Sequence, residues 1–309
     1  MFRFEMPDNT LEYSLRLKII RDQIGEFMSL RALSDIFSLL EVDRDTIGEV
    51  YNGRMKNDGR VHEIQALVPK CELEDIRYAL YPLFMELGFF DINKPLRTDF
   101  SHILVLGGSL NANFDRTHAS VEWITETTRF VEGLSCYRPI NPIERRDSVF
   151  QSAYDTEFGV MSDAFASVFA LSSSDWKDDF VGDRNLNRSS CIRSFNTAPG
   201  GRAYRVFAAP STQVELRRAD TGDSLLFFLD HTELCPDDSL LAVTNNMFCN
   251  RQFLQLAYCL MKRRSPVNFD IVGCLPEDRI STRDNYDPFR YIQELIALLS
   301  WIERFHDDF

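Results

Sequence analysis

HILVLGG (102–108) is a continuous apolar run closing on two glycines, the pattern of a strand buried on both faces of a sheet and turning sharply at its end. Three more runs share that texture: YRVFAAP (204–210), SLLAVTN (239–245) and NFDIVGC (268–274). Helix-like segments at 115–130, 155–170, 222–231 and 250–263 lie among them, so strand and helix alternate. This alternation predicts an α/β fold built on a parallel, doubly wound sheet across residues 98–287.

Outward from that core the texture changes on both sides. Residues 1–97 carry helical periodicity, with Leu11, Leu15, Leu17, Ile20, Ile24 and Phe27 on one face and a second face from Leu30 to Leu40. A further helix is expected through Ile76, Leu80, Leu83, Phe84 and Leu87, capped by Asp75 and stopped by Gly88. This half reads as an N-terminal α-helical cap. PFRYIQELIALLSWIERF (288–305) starts on proline and keeps helical spacing, so 288–309 should form a helix packing back on the core. The polar, Gly/Ser/Asn/Asp-rich stretch 172–202 reads as an inserted loop, either a lid or a disordered excursion.

Composition narrows the function classes. Across 309 residues, 34 basic against 47 acidic side chains give a net charge of −13, which repels phosphate backbones and anionic headgroups. Residues 29–51 resemble a helix-turn-helix in spacing, but residues 1–60 hold 9 basic and 11 acidic residues, so no basic footprint exists there. No nucleic-acid or membrane partner is expected. Seven cysteines without a C-x-x-C pair read as reduced thiols in a cytoplasmic protein, and no window reaches the ~18 apolar residues of a spanning helix. His62, His102, His118, His231 and His306 lack paired metal-ligand spacing, and no G-x-S-x-G elbow is present.

In an open parallel sheet, ligands bind beyond the strand carboxyl ends, so the chemistry is sought there. In LGGSLNANFDRTH (106–118), Gly107 and Gly108 permit close backbone approach, Ser109 and Asn111 supply polar groups, and Arg116 carries charge. The spacing is neither G-x-G-x-x-G nor a P-loop. SAYDTEFGVMSD (152–163) offers Glu157 in a helix's first turn; RRADTGDS (217–224) offers Arg218, Thr221 and Asp223; each is equally readable as a capping turn. LLAVTNNMFCNRQFLQL (240–256) leads from a strand through Thr244, Asn245 and Asn246 to Arg251, a pattern suited to a carboxylate or phosphate. Arg138, Arg145 and Arg146 (RPINPIERR, 138–146) follow a second strand, either greeting an anion at the rim or lying in solvent.

Taken in order, VLGG, a downstream Arg, a Thr-Glu helix start, R-x-x-T-x-D and L-x-V-T-N-N-x-x-x-x-R resemble the YdcF/SanA/ElyC family over about 102–275, on Gly107, Gly108, Arg116, Glu157, Thr221, Asp223, Thr244, Asn245 and Arg251. The departures are Phe248 or Cys249 near the family's usual His, Asp223 for a Glu-Asn pair, and LSCYRP (134–139) in place of S-G-G. That resemblance implies a Rossmann-like domain with a nucleotide-like or other small-molecule pocket.

Two functional expectations follow. In the first, an anionic ligand of nucleotide or adenosyl type sits on the Gly107–Ser109 amides, Arg116 and Arg251, oriented by Thr244 and Asn245, with Glu157 or Asp223 as general base in a transferase or hydrolase. Convergence of Asp115, Glu157 and Asp223 would allow Mg²⁺ beside a phosphate. In the second, the protein is a non-enzymatic ligand sensor or interaction protein whose helical cap meets a protein partner. The position of Glu157 and Asp223 relative to one cleft discriminates the two.

Overall fold

The computed structural model describes residues 1–42, 70–90, 94–172, 175–183, 188–196, 201–213, 217–274 and 282–309. All four apolar runs become strands. β1 (His102–Leu106), β2 (Phe130–Cys136), β5 (Ala203–Ala209), β6 (Ser239–Thr244) and β7 (Asn268–Gly273) run parallel, in the sheet order β5-β2-β1-β6-β7. Ile103 stands opposite Val131 on one side and Leu241 on the other. Alternation along β1 sends Leu104 and Leu106 to one face and Ile103 and Val105 to the other, and each face joins a different apolar cluster. The sheet is therefore covered on both sides.

One face carries α5 (Leu110–Ser120) and α7 (Glu157–Val168), whose Phe158, Met161 and Phe165 pack on Val105, Val131 and Val206. The other carries α8 (Thr221–His231), α9 (Cys249–Lys262) and α10 (Pro288–Asp308). N-terminal helices α1 (Tyr13–Ser29), α2 (Arg31–Leu40), α3 (Lys70–Asp75) and α4 (Arg77–Glu86) add to this second face, and Phe4 stacks on Phe253 of α9 at 5.6 Å. They share one continuous cluster with the sheet. Asp75 ends α3 instead of capping α4, whose preceding residue is Ile76. Gly88 does stop α4: it has φ +79°, and a Cβ there would lie 2.0 Å from the Phe2 carbonyl oxygen.

Two expectations need correction. The expected helix over 115–130 lies at Leu110–Ser120, and the chain has already entered β2 by Phe130. The segment 172–202, expected as a loop or lid, contains β3 (Trp176–Val181) and β4 (Ser190–Phe195), an antiparallel pair that extends the sheet beyond β5. Its polar texture belongs to strands with one half-exposed face, where Arg193 pairs with Asp178 across the ladder at 2.7 Å and its guanidinium stacks on Trp176. Residues 173–174, 184–187 and 197–200 of that segment lie outside the described residues. Among the described residues, no helix is long and apolar enough to cross a membrane.

Candidate functional site

The carboxyl ends of β1, β2, β5, β6 and β7 meet on one edge of the sheet, and several of the sequence-derived residues gather there. Ser109 caps α5, accepting the Ala112 amide at 3.4 Å. The Gly108 amide donates to Asn113 Oδ1 at 2.9 Å, so it is engaged within the turn. Gly107 has a clear steric reason: a Cβ there would lie 2.3 Å from Glu157 Oε1 and 2.5 Å from the Leu134 carbonyl. Replacing Gly107 by Ala should push the Glu157 carboxylate aside and cost about 1–3 kcal/mol in chemical denaturation. A substitution without effect would mean that this packing is slack.

Glu157 opens α7 one residue after its cap Thr156, and the 138–140 and 155–157 segments are joined by Glu157 N–H to Arg138 O (2.8 Å) and Ile140 N–H to Asp155 O (2.8 Å). That backbone pairing brings Arg138 Nε to Glu157 Oε2 at 2.9 Å. The same guanidinium donates to both oxygens of Glu144, at 2.6 and 3.2 Å, and to the Gly108 carbonyl at 2.8 Å. Burial alone would lower the Arg138 pKa, but Glu157 and Glu144 more than offset it, and the value ends raised.

Arg218 stands in the same neighbourhood. Among the described residues its guanidinium forms no hydrogen bond or ion pair. Its pKa is lowered by burial first and by the Arg138 charge second, with Glu157, Cys136 and Glu144 acting the other way. Cys136, which ends β2, is pushed up to about 12 by burial and by Glu157, so its thiol stays protonated at neutral pH and is no nucleophile.

Arg116 is brought to this end but is sealed inside. It is 1% exposed and donates Nε (2.8 Å) and Nη2 (2.5 Å) to Asn245 Oδ1, and Nη1 to the Leu106 and Gly107 carbonyls, both at 2.7 Å. Asn245 in turn donates Nδ2 to the Cys274 carbonyl at 3.0 Å. The expected ligand-neutralising Arg116 and ligand-orienting Asn245 are thus tie points joining the ends of β1, β6 and β7. All of Arg116's acceptors among the described residues are neutral oxygens, so its buried charge has no carboxylate partner there.

Four further expectations are corrected by geometry. Arg251 turns to α10, with Nε on Glu294 at 2.5 Å and Nη1 on Gln255 at 3.0 Å. Asp223 forms a capping box with Asp220 and an ion pair with Arg217, which keeps it from acting as an open base. Thr221 faces α9, accepting from the Gln252 amide at 3.4 Å, and Asn111 holds the 148–149 loop through Ser148 Oγ at 2.6 Å. As to the Mg²⁺ site that convergence of Asp115, Glu157 and Asp223 would have allowed, among the described residues no group of three or more His, Cys, Asp or Glu side chains is placed to hold a metal ion. Thr244 Oγ1 is fully buried and unpartnered at the end of β6, and the neighbouring Asn246 Oδ1 is also unpartnered.

Arg138 and Arg218 were visible in sequence as rim and turn residues; Glu144 was not singled out. Its signal was Asn141-Pro142-Ile143-Glu144, a cap, a proline and an acid in the first turn, which forms the short helix α6 (Pro142–Arg146).

This arrangement defines the molecule as an α/β protein with a mostly parallel seven-stranded sheet and a cationic carboxyl edge. No protein-family model, no curated protein and no solved structure matches the chain.

Proposed function

We propose that the carboxyl edge of the sheet binds an anionic small molecule carrying a phosphoryl group, as a nucleotide does. One observation carries this reading: in a chain of net charge −13, two guanidiniums at this edge, Arg116 and Arg218, have no carboxylate partner among the described residues. Burying an unmatched charge is costly, and an incoming anion would offset that cost. Arg218 supplies the contact; Arg116 supplies charge from beneath the Gly107–Gly108 turn. A Rossmann-like topology supports the same placement, because the parallel strands run third-second-first-fourth-fifth across the sheet and the order reverses between β1 and β6. The Arg116–Asn245 link fills that reversal point, so the ligand belongs on the β1–β2 side, over Arg138 and Arg218. The motif likeness supports this as well, through Gly107, Gly108 and Glu157.

Sensing is favoured over catalysis. Glu157 is paired with Arg138 and Asp223 with Arg217, and the two carboxylates share no hydrogen-bond partner. The test is thermal unfolding with added ADP or inorganic phosphate at low ionic strength. Wild type should gain stability with ligand concentration and Arg218→Ala should lose most of that gain. An Arg218→Ala protein that keeps the full ligand-induced shift would remove the assignment.

A further inference from the structure

The carboxylate of Glu144 lies where an anion is wanted. Its Oε1 and Oε2 take the two terminal nitrogens of Arg138, and Oε2 also accepts the Leu110 amide at 3.3 Å, in the first turn of α5. A forked guanidinium with a helix-start amide is an oxyanion cradle. In this structure the occupant is a side chain of the protein itself.

The segment that delivers Glu144 is held by side-chain polar bonds and not by apolar packing. Helix α6 contributes no buried residue, its Ile143 is 56% exposed, and Val149 just beyond it is 71% exposed. Lifting α6 therefore gives up the Glu144–Arg138 pair and the bonds of Arg145 to the Ser152 and Tyr154 carbonyls and the exposed Asp155 carboxylate, but little apolar burial. Beside it lies a depression of about 220 Å³ lined by Leu110, Arg145, Phe150, Gln151 and Ser152. Flanking residues stay anchored, Ile140 among Leu110, Phe114 and Val160, and Ser148 on Asn111.

Resting on the reading of this edge as an anion site, we infer that Glu144 is a built-in competitor: a phosphoryl group of the ligand displaces its carboxylate from Arg138 and the Leu110 amide, and α6 moves outward. The ligand class follows from oxygen count. Two phosphoryl oxygens replace those of Glu144, and the third is left for Arg218, whose charge acts on Arg138, Glu157 and Glu144 and whose guanidinium has no hydrogen bond or ion pair among the described residues. A carboxylate has no third oxygen to offer. Displacement makes binding weaker than the bare cradle would allow, because only the fraction of molecules with Glu144 released is competent.

The test is calorimetric titration of the full chain with inorganic phosphate, and separately acetate, for wild type, Glu144→Gln and Arg218→Ala. Glu144→Gln should bind phosphate at least about fivefold more tightly than wild type and show a smaller gain for acetate. Equal or weaker phosphate binding by Glu144→Gln, with wild type binding and Arg218→Ala not, overturns the competitor role while leaving the anion site standing. Absence of phosphate binding in wild type and Glu144→Gln overturns both. An equal gain for acetate overturns the phosphoryl assignment. In unmodified protein, phosphate should shift the Leu110 amide resonance, and saturation without that shift would also sink the inference, whatever the fate of the variant.

Discussion

Replacing Arg116 by Ala should destabilise the protein by about 3–5 kcal/mol, read as a drop in the denaturation midpoint with an unchanged slope. Asn245 Oδ1 and the Leu106 and Gly107 carbonyls would each lose a donor, and a buried unsatisfied acceptor costs about 1–3 kcal/mol. Arg116 is also among the largest side chains with under 2% exposure, so truncation leaves a cavity. One effect opposes these: removing a cation without a carboxylate partner relieves desolvation. Three orphaned acceptors plus a cavity outweigh it. Arg116→Lys should recover only part of the loss, because a single ammonium cannot reach in one plane an amide oxygen on β6's exit and two carbonyls on β1's exit. A loss under about 1 kcal/mol for Arg116→Ala would show that the strand ends hold together without it.

The strands that fold into the sheet's middle show what sequence texture can and cannot display. β1, β6 and β7 are visible because each carries a continuous apolar run, ILVL, LLAV and IV beside Phe269, even with His102, Asn268 and Asp270 buried among them. β2 sits between β1 and β5, as central as any, yet it is read only as a second strand preceding Arg138, without bounds, because Glu132 is a charge in the interior of FVEGLSC and Gly133 an interruption. Both have tertiary causes. A Cβ on Gly133 would lie 2.7 Å from Met161 of α7, and Glu132 is matched by groups 30 and 73 residues away. The hairpin β3–β4 was hidden for the opposite reason, since half-exposed strands look like polar loop. At the site, turn glycines and the acid at a helix start were legible because their causes are local. Whether Arg116 and Arg251 face a ligand or a neighbouring element was not legible. Glu294 and Asn245, which claim them, are separated from them by 43 and 129 residues. Arg218, already a candidate in the RRADTGDS turn, inverts this: among the described residues nothing claims its guanidinium.

The amino end of the same sheet should be equally sensitive and functionally silent. Glu132 is 0% exposed; its Oε2 meets His102 Nδ1 at 2.8 Å and its Oε1 receives Arg205. His102 stacks on Phe130 at 4.5 Å, and the Arg205 guanidinium lies over Phe130 and Phe207 at 5.1 and 5.3 Å, so ring faces fix both partners in place. Glu132→Ala leaves the buried His102 and the part-buried Arg205 without their shared carboxylate, and about 3–5 kcal/mol should be lost. Glu132→Gln keeps the shape but turns an NH₂ toward one of two donors, so it should recover part of the loss only if His102 accepts. The contrast is the exposed pair Arg263–Asp230, bidentate at 2.7 Å with side chains 39% and 45% exposed, where Asp230→Ala should cost under about 1 kcal/mol because solvent screens the charges. Because Glu132 and the arginine edge occupy opposite ends of the strands, Glu132→Ala held below its unfolding temperature should bind phosphate with wild-type affinity. Stability unchanged within 1 kcal/mol would refute the buried network, and lost phosphate binding in the folded variant would refute the separation of the two ends.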